Sequence, residues 1–105
     1  MTEYLKVITT IDSKEKAVDL CKKIVELRLV SCAQILGPIQ SIYWWQDKVD
    51  NSEEYYCVFK TKSSLYPQLE DYIKKNHNYQ VPEIIAVPII FGSKEYLNWI
   101  SNETV

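Results

Sequence analysis

The 105-residue sequence predicts an α+β fold in one domain, residues 1–105, with the order β-α-β-β-α-β and a further helix at the C-terminus. Three observations carry that prediction. Apolar and β-branched residues alternate in "YLKVITTI", "SIYWW" and "YYCVFKT", as half-buried strands require. Apolar residues instead recur at steps of three and four after Ser13 and again after Ser64, the period of an amphipathic helix. A chain of this length also buries most of its apolar surface in one core, whereas two cores would each be too small.

Residues 4 to 11 form the first strand and end at Asp12. Ser13 caps a helix that presents Ala17, Leu20, Cys21, Ile24 and Leu27 on one face and Lys14, Glu15, Lys22 and Lys23 elsewhere. From Ser31 to Trp45 the pattern is again that of a strand, broken at Gly37-Pro38, where one long strand is expected to bulge or bend. "QDKVDNSEE" is polar and turn-prone and "YYCVFKT" returns to strand, so residues 41 to 61 read as a long hairpin joining the second and third strands. The second helix is capped by Ser63 or Ser64, tolerates Pro67 in its first turn and carries Leu65, Leu69, Tyr72 and Ile73 inward, running out near His77. "IIAVPII" is a strand whose Pro88 places it at an edge or a bulge. "SKEYLNWISNE" closes the chain as a helix presenting Tyr96, Leu97, Trp99 and Ile100. This order is the split β-α-β of a ferredoxin-like sandwich, an antiparallel sheet with both main helices on one face.

Composition narrows the function. A net charge of −2 with no basic face argues against nucleic acid as a partner, because binding phosphates requires clustered cations. The longest apolar stretches are too short and too interrupted to span a bilayer, and no basic segment leads an apolar run at the N-terminus. The expected location is cytoplasmic, with no membrane partner. Cys21, Cys32 and Cys57 lack the spacing of a disulfide framework or a zinc site and read as small buried hydrophobes, with Cys32 held open. Eight tyrosines, three tryptophans and two phenylalanines exceed what one small core absorbs. Trp44 and Trp45 are neighbours on a strand and point to opposite sides, so at least one ring is expected to leave the core. Self-association over the sheet face left bare by the helices is the economical outcome.

Devices of common enzymes are missing. The two glycines form no phosphate-cradling loop, and the single histidine stands in no triad pattern. Glu53-Glu54 and Glu70-Asp71 are adjacent acids that point apart, which is the pattern of a solvated face. His77 has two readings. It is the last residue of a helix, where an imidazolium gains ~0.3–1 kcal/mol from the helix dipole, or it shares a pocket wall with Tyr79 and Glu83 across the extended Val81-Pro82.

"VSCAQI", "SIYWWQDKV", "VFKTKSS", "HNYQVPEIIAVPI" and "YLNWI" appear in the order and spacing of the CutA family, the small proteins named for divalent-cation tolerance, and the sequence resembles that family over nearly its whole length. The resemblance implies a ferredoxin-like protomer in a tight homotrimer, pockets between subunits, a link to copper and other divalent cations, and no agreed catalytic reaction. It places Cys32, Lys60, Tyr79 and Glu83 in the intersubunit pocket and Tyr43, Trp44 and Trp45 among the interface aromatics. Where bacterial members are ascribed a copper site of a first-strand cysteine and a His-His pair, the matching positions are Thr9, Asn76 and His77. The resemblance then implies a weakly held copper or other divalent cation with His77 as its metal ligand, and Cys32 as the soft ligand elsewhere. Two other classes compete: a trimeric nucleotide sensor like the PII proteins, disfavoured by the short acidic "QDKVDNSEE" turn, and a small enzyme using His77 or Lys60 as a base in an intersubunit pocket.

Overall fold

The computed structural model describes residues 3–105; the first two residues of the expected domain lie outside the described residues. The elements are β1 (Tyr4–Ile11), α1 (Lys14–Glu26), β2 (Cys32–Trp45), β3 (Lys48–Lys62), α2 (Tyr66–Asn76), β4 (Ile84–Pro88) and α3 (Lys94–Glu103). They build a four-stranded antiparallel sheet in the order β2-β3-β1-β4. The expected α+β architecture is therefore the observed one, and each departure from expectation is local.

Ser13 caps α1, its Oγ accepting from the Lys16 N–H at 3.1 Å. Ala17, Leu20, Cys21 and Ile24 are buried as the spacing requires, but Leu27 is half exposed. α1 stops one residue earlier, with Leu27 as its C-cap, and the chain turns at Arg28 (φ +57°) so that Leu29 and Val30 enter the core in its place. Neither Ser63 nor Ser64 caps α2. A single 3₁₀ turn, Ser63–Leu65, precedes it, and Pro67 sits in the first turn of α2, where a missing N–H removes no helical hydrogen bond.

The hairpin is tighter and longer than expected. Only Gln46 and Asp47 form the turn, both at positive φ (51° and 63°), the condition for a two-residue turn matched to strand twist. The polar stretch from Lys48 to Glu54, expected as loop, instead pairs residue by residue with β2, from Trp45 opposite Lys48 to Ile39 opposite Glu54. The ladder slips between Leu36 and Ile39, at the predicted Gly37-Pro38 break. Space demands glycine there, since a Cβ on Gly37 would lie 2.6 Å from Tyr55 Cδ2. Pro88 ends β4 on the edge of the sheet, as its missing donor requires.

The core lies between the sheet and helices α1 and α2. Val7, Cys57 and Phe59 from the strands meet Ala17, Leu20, Ile24, Leu69 and Ile73 from the helices. On the other side, α3 closes over one end only. Ser93 caps it through a bond from the Tyr96 N–H, Ile100 is its buried anchor, and Tyr4 OH is hydrogen-bonded to Ser101 Oγ at 2.6 Å. Of the four residues expected to face inward from this helix, Tyr96 and Trp99 are exposed.

Candidate functional site

Alternation along β3 decides what the site contains. Its odd-numbered residues Cys57 and Phe59 face the helices, so even-numbered Glu54, Val58 and Lys60 face the opposite side. Cross-strand pairing then puts Cys32 directly beside Lys60. Lys60 Nζ donates to Gln34 Oε1 at 2.8 Å, and Cys32 Sγ lies 3.8 Å from the Tyr96 hydroxyl of α3. Burial and the contact with Cys32 push the Tyr96 phenol up from its ordinary range.

Six residues along β3, about 20 Å at ~3.3 Å per residue, separate this group from a second one around Glu54. Glu54 is only 6% exposed, and its Oε2 accepts a hydrogen bond from Tyr79 OH at 2.8 Å. Tyr79 comes from the loop after α2, which also carries Glu83. With Tyr43, Trp44 and Trp45 of the hairpin these residues line a cleft of about 820 Å³ whose lining includes three carboxylates, those of Asp50, Glu54 and Glu83, and no lysine, arginine or histidine. The electrostatics reflect that lining. Burial, then the neighbouring Glu54, raises the Glu83 carboxyl above its usual range; burial, then the bond to Glu54, raises the Tyr79 phenol.

Within one chain, then, the structure brings Tyr79 and Glu83 together with the hairpin aromatics, and Cys32 together with Lys60, but it does not bring the two pairs to each other. Glu54 is the member that sequence reasoning misses. Adjacency with Glu53 gives it the pattern of a solvated face, and the two acids do point apart, but only Glu53 faces solvent. The signal lies in the alternation of β3, which puts Glu54 on the side of Val58 and Lys60; what the sequence lacks is the fold that lays Tyr79 against that side.

His77 follows the last residue of α2. Its Nε2 is 2.7 Å from the Thr10 carbonyl oxygen of β1, and its Nδ1 accepts from the Tyr79 backbone N–H at 3.0 Å. The rings of His77 and Tyr79 pack with centroids 4.7 Å apart. His77 therefore stands behind the cleft wall and positions Tyr79 without lining the cleft. The other two positions of the implied copper site do not converge on it. Thr9 is buried on the core face of β1 with its hydroxyl unpartnered, and Asn76 Nδ2 donates to Tyr72 O of its own helix. No group of three or more His, Cys, Asp or Glu among the described residues is arranged to hold a metal ion.

Comparison with known proteins agrees with this fold. The model of the family described as CutA1 divalent ion tolerance protein matches residues 5–103. The chain is 40% identical over 98 residues to "Protein CutA 1, chloroplastic" of Oryza sativa, covering 93% of this chain and 55% of that protein, so it spans about half the length of that plant relative. It is equally identical, 40% over 98 residues, to the divalent-cation tolerance protein CutA of Thermus thermophilus, there covering 93% of this chain and 95% of the relative. Among solved structures, CutA1 from Oryza sativa superposes with a TM-score of 0.96 at 38% identity, over 99% of this chain and 95% of that one. CutA1 from Thermus thermophilus gives 0.94 at 38% identity, over 97% and 99%. The cleft of Tyr79 and Glu83, the Cys32–Lys60 pair and the aromatic hairpin thus sit on a fold and a sequence that belong to the CutA1 divalent ion tolerance family.

Proposed function

We propose that the chain serves divalent-cation tolerance as a cytoplasmic, non-enzymatic homotrimer that binds a small ligand or a divalent cation between its subunits. One observation carries the reading: the two halves of the expected pocket lie about 20 Å apart on one strand and are opposite in charge. A cleft lined by three carboxylates and no basic side chain occupies one end, and Lys60, bonded to a neutral amide, occupies the other. A second copy that lays its Lys60 end against the first copy's Glu54–Glu83 end completes the site and relieves the carboxylates at once.

The apolar surface supports the same arrangement. Ile42, Trp44 and Val49 at the hairpin and Ile85, Val87, Ile90 and Phe91 along and beyond β4 are exposed, and Phe91 is 93% exposed. These residues fall on an edge strand and a projecting hairpin, the two places where a neighbouring subunit can continue the sheet or pack on it. A divalent cation in the completed site would meet hard carboxylate oxygens from Glu54 and Glu83, with Cys32 as a soft donor at the other end; copper is expected to bind weakly.

Native mass spectrometry on the chain with added copper, zinc and nucleotides tests assembly and ligand class together. A trimer mass, with metal retained in the trimer and absent from any monomer, is expected. A monomer at micromolar concentration overturns the trimer, and stoichiometric nucleotide retention overturns metal tolerance in favour of nucleotide sensing.

A further inference from the structure

The assignment of the only imidazole to metal conflicts with how that imidazole is held. The Tyr79 N–H can only donate and the Thr10 carbonyl can only accept, so the two partners fix the tautomer: the proton is on Nε2 and the lone pair of Nδ1 is already engaged. A metal ion needs a free lone pair on one of these nitrogens. Taking Nδ1 removes the acceptor of the Tyr79 N–H, and taking Nε2 removes the donor to Thr10. We propose that His77 is a positioning residue, its proton on Nε2 and its Nδ1 lone pair engaged, that sets Tyr79 against Glu54 and is not the metal ligand of this protein.

The path from His77 to the cleft is short and continuous. Nε2–H ties the start of the loop to β1, Nδ1 fixes the backbone of Tyr79, the two rings pack at 4.7 Å, and the Tyr79 hydroxyl holds the Glu54 carboxylate from β3. One residue further on, Asn78 Nδ2 donates to Asp12 Oδ2 at 3.1 Å, a second tie between the same loop and the end of β1. An imidazolium has no acceptor for the Tyr79 N–H, and so protonation and metallation disturb the same bond. Asp12 through Asn78, Glu54 through Tyr79, Lys74 and Lys75 on α2, and Lys16, Asp19 and Lys23 of α1 are charged groups around this loop. The role assigned to Tyr79 and Glu54 rests on the cleft being the binding site; the tautomer of His77 does not.

Because the chain has one histidine, labelling it with ¹⁵N gives two imidazole signals without assignment. The expected spectrum at neutral pH shows Nε2 coupled to a proton and Nδ1 far downfield as an unprotonated acceptor. An equivalent of zinc(II), a diamagnetic ion that cannot broaden these signals from the cleft, leaves both shifts unchanged. Two variants separate positioning from ligation. His77→Gln retains a donor and an acceptor and is expected to keep the Tyr79 amide protected from hydrogen exchange, whereas His77→Phe loses both and exchanges that amide on the order of tenfold faster. A protonated Nδ1, a shift of either nitrogen to a metal-bound value on adding zinc(II), or metal binding abolished in His77→Gln would each overturn the proposal. Failure of the cleft to retain metal or small ligand in native mass spectrometry would instead strike the functional reading and leave the His77 spectrum unchanged.

Discussion

Phe59 and Trp44 lie on the same side of one β2–β3 ladder, Phe59 opposite Ala33 and Trp44 opposite Val49, yet Phe59 is fully buried and Trp44 is 74% exposed. Length explains the difference. The 15 residues of β3 span about 50 Å at ~3.3 Å each, and the 13 residues of α1 span about 20 Å; the long axis of the molecule, 44 Å, is set by the hairpin. The helices cover the base of the ladder and leave the tip bare. Alternation thus decides which side a residue takes, while burial depends on what the rest of the assembly lays over that side.

The sharpest break of this comparison is to truncate one ring in each half. Phe59→Ala is expected to cost about 3–5 kcal/mol of protomer stability, a large part of the ~5–15 kcal/mol a domain possesses, and urea unfolding would show it as a strongly lowered midpoint. Trp44→Ala is expected to leave protomer stability within about 0.5 kcal/mol. Its effect belongs to assembly, where loss of a central aromatic costs on the order of 2 kcal/mol, roughly thirtyfold in dissociation constant. Sedimentation equilibrium at micromolar concentration measures this. If both variants lower the urea midpoint equally and neither changes the mass, the tip is part of the protomer core and the contrast between the halves collapses.

The base of the ladder was legible in the sequence because its partners are local. Ser13, the 3.6-residue period of α1 and the β-branched run of β1 specify themselves, and Val7, Cys57 and Phe59 follow from alternation once the helices are placed. The tip was less legible. "KVDNSEE" has the composition of a loop, and only its pairing with the aromatic run of β2 makes it strand, so cross-strand contact overrides local propensity. The site was the least legible, because Glu54 and Tyr79 are 25 residues apart in sequence and meet only through the fold. His77 shows the same limit: its place at the end of α2 was readable from the helix period, but its bond to Thr10 spans 67 residues.

A milder test acts on the cleft alone. Tyr79→Phe keeps the ring and removes the hydroxyl that donates to Glu54, leaving a buried carboxylate without that hydrogen bond. The expected cost is about 1–3 kcal/mol, read as a lowered urea midpoint at neutral pH. The equivalent change at the base, Tyr96→Phe beside the partly exposed Cys32, is expected to cost less, because that contact is long and reaches water. Equal losses in the two variants would mean that the cleft end is as solvated as the α3 end.

The smallest expected effect is the most informative about assembly. In the protomer, burial and then Glu54 raise the Glu83 carboxyl above its usual 4.5. A raised carboxyl favours the protonated form in the folded state, so its contribution to stability is complete below the unfolded value and is lost as pH rises through the folded one. Glu83→Gln removes that loss. In a Trp44→Ala background diluted until its measured mass is that of the monomer, the Gln variant is expected to melt slightly above its parent at pH 7 and level with it below pH 4, where both carry a neutral side chain. In the assembled wild type the sign is expected to invert at pH 7, because Lys60 of a second copy would then face Glu83 and ionisation would be favoured. Paired thermal melts at the two pH values, in both backgrounds, give four differences. An unchanged sign on assembly would show that no cation from a second subunit reaches the carboxylates, and would separate the aromatic tip from the charged cleft as two independent surfaces.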